Sequence, residues 1–289
     1  MLVLIYRFGL LVVIKTVLLC ASTVKDSSEF DKLFVLTDNL SIYDRTVLCA
    51  SEFLGTAILV YVGCMGCVTF GNAPNHLAVS ICFGCGVMLA IQCVAHISGA
   101  HINPVVTIAS AILGNLPLIE VPVYFVGQFI GAIAGFGALK ATTPSEFIKV
   151  FINNTEPVPG ICSPVVSPNV SSFHGFLSEF FATLILILLC CSVWDPRNST
   201  KHDSVPIKFG LAIVALALSA GPYSGAHLNP ARSLAPALWN GDWKDHWVYW
   251  LGPTLAAIFG AATYRFFFSF QQDEKPNSIA ETIPLNDKP

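Results

Sequence analysis

Apolar residues bunch along the chain into six stretches, 47–70, 77–96, 117–139, 173–194, 206–221 and 248–270. A bilayer-spanning helix needs about 20 consecutive, mostly apolar residues, and each stretch meets or approaches that length. Inside them only Glu52, Glu120, Glu179, Lys208 and Arg265 carry formal charge, the last two near span ends. Two shorter apolar runs, Asn103–Leu113 and Asn229–Trp239, follow the second and fifth stretches. As helix each would reach only about 16 Å, roughly half of the hydrocarbon core. The pattern predicts an all-α integral membrane protein, with six transmembrane helices plus two re-entrant half-helices. Composition agrees: 54% of the 289 residues are hydrophobic and 11% are charged, against about 25% charged in soluble domains.

The chain also repeats itself. Ser51-Glu52-Phe53 recurs 127 positions later as Ser178-Glu179-Phe180. Ser98-Gly-Ala-His-Ile-Asn-Pro-Val recurs 126 positions later as Ser224-Gly-Ala-His-Leu-Asn-Pro-Ala. Gly127-Gln-Phe-Ile-Gly-Ala answers to Gly252-Pro-Thr-Leu-Ala-Ala at 125. Near-constant offset at three landmarks marks a tandem duplication. Each copy holds three spans, and an odd number makes the second copy enter the membrane from the opposite side, an inverted repeat. The expected organisation is an N-terminal segment (1–45), a first repeat (46–139), a connecting loop (140–172), a second repeat (173–270) and a polar, disordered tail (271–289).

Chemistry concentrates at the two Asn-Pro pairs. Asparagine is a preferred helix N-cap and proline a preferred first helical residue, so helices should start abruptly at Pro104 and Pro230. A helix starting at membrane depth is tolerated only where protein or a wet cavity covers its free backbone groups. Inverted symmetry brings the two N-termini together near the midplane. There two positive dipole ends and the Asn103 and Asn229 amides would offer donors to a neutral solute and oppose a cation. Arg232, on the face of the second half-helix that also carries Asn229, is an arginine at membrane depth and so a functional candidate. Glu52 and Glu179, at matching positions, are read as structural carboxylates that accept from backbone N–H groups beside each half-helix, with a proton relay as the alternative.

The remaining features bound this reading. The net charge of -3 comes without any basic cluster, which excludes a nucleic-acid partner. Most of the ten cysteines fall inside apolar stretches (Cys49, Cys64, Cys67, Cys82, Cys85, Cys93, Cys190 and Cys191). They read as small apolar residues there, so neither a metal site nor a disulfide framework is expected. Met1–Cys20 is apolar but interrupted by Arg7 and Lys15; a signal peptide and a seventh span are alternatives to the favoured cytoplasmic or interfacial segment. With both termini inside, Lys25, Lys32, Arg45, Arg197, Lys201, Lys208, Arg265, Lys275 and Lys288 face the cytoplasm and only Lys140, Lys149 and Lys244 lie outside, as the positive-inside rule requires. The third connection is then exoplasmic and presents Asn153 and Asn169 as candidate N-glycosylation acceptors. No nucleophile–base pair, cofactor loop or metal cluster supports an enzyme, and no cofactor is expected.

From these residues the chain resembles the aquaporin (major intrinsic protein) family over about 45–270. The resemblance implies one pore per subunit and a homotetramer in a bilayer, most naturally the plasma membrane. The first motif departs slightly, with Asn103, Pro104 and Val105 where the family usually ends in alanine; the second reads Asn229, Pro230, Ala231. The resemblance also implies a four-residue selectivity filter at Phe83, Ala217, Ala226 and Arg232. Water-restricted members typically carry histidine where Ala217 stands, so the constriction should be wider and more apolar, suited to glycerol and urea besides water. Ser233, Ala237 and Tyr249-Trp250 instead look like the water-selective branch. The combination is similar to insect glycerol channels derived from water channels. His101 and His227, just before the motifs, read as pH reporters at the pore mouths or as histidines satisfied by a loop carbonyl. The competing classes are a strictly water-selective channel, an ion- or proton-coupled transporter, a seven-span receptor and a closed channel with an adhesive role.

Overall fold

The computed structural model describes residues 40–70, 74–148, 151–152, 156–157, 160–200 and 203–268. The readings for residues 1–20, for Asn153 and for the tail 271–289 lie outside the described residues. Within them are eight α-helices: α1 (Ile42–Met65), α2 (His76–Ser98), α3 (Pro104–Leu113), α4 (Val121–Thr142), α5 (Ser172–Trp194), α6 (Val205–Ser224), α7 (Pro230–Asn240) and α8 (Val248–Phe268). Five combine the length and apolarity needed to cross a membrane: α1, α2, α4 with its preceding turn, α5 and α6. Helix α8, of 21 residues, is the sixth long helix, and α3 and α7 are the half-helices.

Helix boundaries follow local chemistry more than hydropathy. The first span was expected at 47–70, yet α1 starts at Ile42 because Ser41 and Asp44 form a capping box, Asp44 N–H donating to Ser41 Oγ (3.1 Å) and Ser41 N–H to Asp44 Oδ2 (2.9 Å). It ends at Met65, where Gly66 to Val68 leave the helix through tight turns onto Gly63, Cys64 and Met65 carbonyls. A short antiparallel ladder, β1 (Phe151–Ile152) with β2 (Glu156–Pro157), adds extended structure that the apolar pattern does not signal.

Without a hydrophobic difference between lipid and protein, membrane helices associate through close packing of small residues. Helix α4 presents Gly127, Gly131 and Gly135 to α1; a Cβ on them would stand 2.4, 2.3 and 2.5 Å from the carbonyl oxygens of Cys49, Phe53 and Ala57. Gly252 and Gly260 of α8 occupy the equivalent places against α5. Each half-helix packs across the repeat boundary, α3 against α8 and α7 against α4, which interlocks the two copies. Arg265 of α8 donates to the Ile112 carbonyl (2.8 Å), covering an orphan acceptor at the C-terminal end of α3. Arg45 and the buried Glu120 close the start of α4 on α1, at 2.8 Å.

One expectation is overturned. Cys64 does not serve as an apolar filler: it is bonded to Cys162, 98 residues away, at a Cα–Cα distance of 5.5 Å. Its partner lies in the loop that folds back over the bundle, which no local pattern around Cys64 could indicate.

Candidate functional site: a cavity at the junction of two half-helices

The segment ahead of each half-helix folds the same way. Helices α2 and α6 end on left-handed Gly99 (φ 79°) and Gly225 (φ 83°). Beyond them Ala100, Ile102, Ala226 and Leu228 all take positive φ, between 48° and 55°, at a cost of about 1–3 kcal/mol each. Buried carboxylates compensate. Glu52 accepts from Ser98 Oγ (2.6 Å), His101 N–H (2.9 Å), Ile102 N–H (2.6 Å) and Gln128 Nε2 (2.8 Å). Glu179 accepts from Ser224 Oγ (2.6 Å), His227 N–H (2.8 Å) and Leu228 N–H (2.7 Å). Tyr124 and Tyr249 donate to the Ser98 and Ser224 carbonyls at 2.7 and 2.9 Å, finishing both cradles.

The cradles aim the two half-helices at each other. Asn103 caps α3 by accepting from Val105 N–H (3.1 Å), and Asn229 caps α7 by accepting from Ala231 and Arg232 N–H (2.9 and 3.2 Å). Each amide then reaches across: Asn103 Nδ2 donates to the Leu228 carbonyl (2.9 Å) and Asn229 Nδ2 to the Ile102 carbonyl (2.8 Å). Pro104 and Pro230 stand at the first helical positions, and Val105 and Ala231 behind them are fully buried. An amide nitrogen has two hydrogens, so the second N–H of each asparagine stays available where both residues line a cavity of about 320 Å³.

That cavity runs past the junction from Cys162 and Ser163 at one end of the bundle to Val193 and Trp194 at the other. Phe83, Ala217, Ala226 and Arg232 all line it. The Arg232 guanidinium stacks over the Phe83 ring at 4.3 Å, donates to the Cys162 carbonyl (3.4 Å) and abuts His227, with Nη1 2.6 Å from Nε2. Nη1 is in contact with Nδ1 as well, and because a guanidinium only donates, whichever ring nitrogen pairs with it accepts. His227 Nδ1 also meets Ser233 Oγ (2.9 Å), as His101 Nδ1 meets Thr107 Oγ1 (3.2 Å). Hydroxyls hold both rings, and a backbone group of loop residue Ser163 also bonds His227.

Several participants were not singled out from the sequence. Gln128 bridges Glu52 and Thr107, and its repeat counterpart is Pro253, so symmetry hides it. His76 lines the cavity and holds the Leu218 carbonyl at 3.2 Å. It lies over Gly221, where a Cβ would come within 2.4 Å of the ring. The candidate acceptor Asn169 is exposed.

Two inverted three-helix units, each with a half-helix running to a shared cavity, define a multi-pass membrane protein. The major intrinsic protein family model matches residues 41–264. Relatives include mouse aquaporin-4, 34% identical over 224 residues, covering 76% of this chain and 66% of the mouse protein, and sheep lens fiber major intrinsic protein, 34% identical over 217 residues, covering 75% and 79%. The aquaglyceroporin from Plasmodium falciparum superposes with a TM-score of 0.66 at 26% identity, covering 78% of this chain and 95% of that one. The chain spans about two thirds of the length of the aquaporin-4 relatives it matches. The chain belongs to the major intrinsic protein family.

Proposed function

We propose that the protein is a passive channel for water and small uncharged solutes, glycerol and urea among them, that excludes protons and ions. The observation that carries this reading is the crossed pair Asn103–Leu228 and Asn229–Ile102 inside the cavity. It holds two helix N-termini and two free amide N–H groups at one point of a continuous path. A neutral solute exchanges its water hydrogen bonds for these donors, whereas a cation meets positive dipole ends and finds no substitute hydration. Past the junction, Phe83, Ala217, Ala226 and Arg232 form the filter: the stacked ring and guanidinium make an apolar wall beside a donor, and Ala217 leaves the opposite side wide. A polyol can lay carbon on Phe83 while its hydroxyls accept from Arg232.

Glu52 and Glu179 serve structure in this reading, since four and three donors respectively already engage them, which leaves a coupled transporter without its relay. The water-only alternative draws on Ser233, which ties His227 against Arg232. The proposed setting is the plasma membrane as a homotetramer, with both termini cytoplasmic and residues 160–163 on the exoplasmic face. The Cys64–Cys162 bond supports that orientation, because disulfides persist in oxidising compartments.

The test is osmotic and solute-driven volume change in vesicles holding purified protein, with an internal pH dye. Water, glycerol and urea fluxes linear in gradient with no proton current are expected. Saturating flux tied to an ion gradient would point to the transporter, and glycerol exclusion with fast water to the water-only channel.

A further inference from the structure

The loop at 160–163 is strapped down over the cavity mouth from two sides. Asp242, just past the end of α7, accepts from Gly160 N–H (2.8 Å) and from the Ser163 hydroxyl. Asn240 donates to the Ile161 carbonyl (3.1 Å) and to Ser163 Oγ (2.9 Å). On the other side the Cys64–Cys162 bond fastens the loop to the last turn of α1. Cys64 is fully buried, and its neighbour Gly63 leaves the notch that receives Phe83: a Cβ there would lie 2.4 Å from the ring. Cys162 itself lines the cavity, and its carbonyl is an acceptor for Arg232. One covalent bond thus joins the helix wall behind Phe83 to the backbone group that holds Arg232, the two residues stacked at 4.3 Å.

We infer that the Cys64–Cys162 disulfide is a positioning element of the solute filter, setting selectivity by holding the Cys162 carbonyl against Arg232, and that its reduction shifts the balance between glycerol and water. The inference rests on the proposed filter. A part-buried hydrogen bond to a charged donor is lost if its acceptor drifts, and Arg232, left with His227 alone on that side, is freer to swing into the lumen. The larger solute feels that intrusion first. In reduction by a dithiol, one reductant thiolate attacks the disulfide and the second displaces the mixed intermediate. The reductant leaves as a cyclic disulfide and Cys64 and Cys162 as two thiols.

The experiment compares wild type, Cys64→Ser, Cys162→Ser and the double variant in vesicles, reading water and glycerol permeability per folded channel. Cys93→Ser, an exposed free thiol outside the site, serves as control. The glycerol-to-water ratio is expected to fall by about three- to tenfold in both single variants. The double variant should fall no further, and the control should match wild type. Dithiol treatment that exposes two further labelled thiols should carry wild type to the variants' ratio and leave the variants unmoved. An unchanged ratio in the variants, or in verified reduced wild type, overturns the inference, as does wild type whose peptide map lacks the bond. Lower abundance or lower flux of both solutes at constant ratio shows a merely structural bond and equally overturns it. If wild type excludes glycerol while passing water, the proposed solute range fails instead. The inference is then read on water flux alone, which must respond to loss of the bond in the same non-additive way.

Discussion

The guanidinium of Arg232 lies 4.3 Å above the ring of Phe83, although the two residues are 149 positions apart and belong to different repeats. The contact makes one amphipathic surface from a cation and an aromatic face, and α7 and α2 meet the same cavity there. Ala217 lines that cavity too, and in the proposed reading its small methyl leaves width there.

Filling that width should narrow the channel. Ala217→His is expected to cut glycerol and urea permeability by roughly ten- to two-hundredfold, the discrimination a few atoms of pocket bulk can supply, with water flux kept within a small factor. Vesicle permeabilities of the variant against wild type check this; an unaltered glycerol flux would remove Ala217 from the filter.

The two cradle carboxylates are unequal. In Glu52→Gln the new NH2 faces Ile102 N–H and Gln128 Nε2 and leaves two donors unpaired, whereas in Glu179→Gln it faces Leu228 N–H alone. A buried unpaired donor costs about 1–3 kcal/mol. Thermal unfolding in detergent should therefore drop further for Glu52→Gln, and the reverse order would contradict the donor count.

At the junction, Asn229→Ala removes two capping hydrogen bonds and one crossing bond, while Asn103→Ala removes one of each. With a cap worth about 1 kcal/mol, both variants should melt lower, Asn229→Ala the more so. Both should also admit measurable proton flux, because the half-helix ends are no longer held together. Scanning calorimetry and a pH-dye assay read the two effects.

Low pH should loosen the turn ahead of α8. His246 sits buried against Trp243, and burial pulls its pKa down to about 4. An unfolded histidine titrates near 6.5. The neutral ring's contribution is fully present above that value and is lost as pH falls from there toward 4, amounting to about 3 kcal/mol at most. His246→Gln should flatten the fall in melting temperature between pH 6.5 and 4; an unchanged slope would rule His246 out as its source.

Much of the architecture is legible in the chain itself. Asn-Pro marks α3 and α7 because capping and the proline N1 preference act over four residues. The carboxylates stand out because charge is rare in apolar runs, and the repeat offset pairs them. What escapes is whatever joins distant places without a local signature. Gln128 has no repeat twin, His76 finds its notch only once α2 meets α6, and Arg265 covers the end of α3 from 153 positions away.

The cysteines show the division most sharply. In the sequence, Cys64 is one more small residue of an apolar run; in the fold, it is the fixed end of a bond to a loop 98 residues on. Hydropathy, capping and periodicity are properties of neighbouring residues, so the six long helices, the two half-helices and their inverted order can be read along the chain. The placement of Cys162 beside Arg232, of Arg232 over Phe83 and of each asparagine under the opposite carbonyl depends on how close the helices come. That distance is set by glycines packed against the carbonyls and side chains of neighbouring helices, contacts that exist only once the chain has folded.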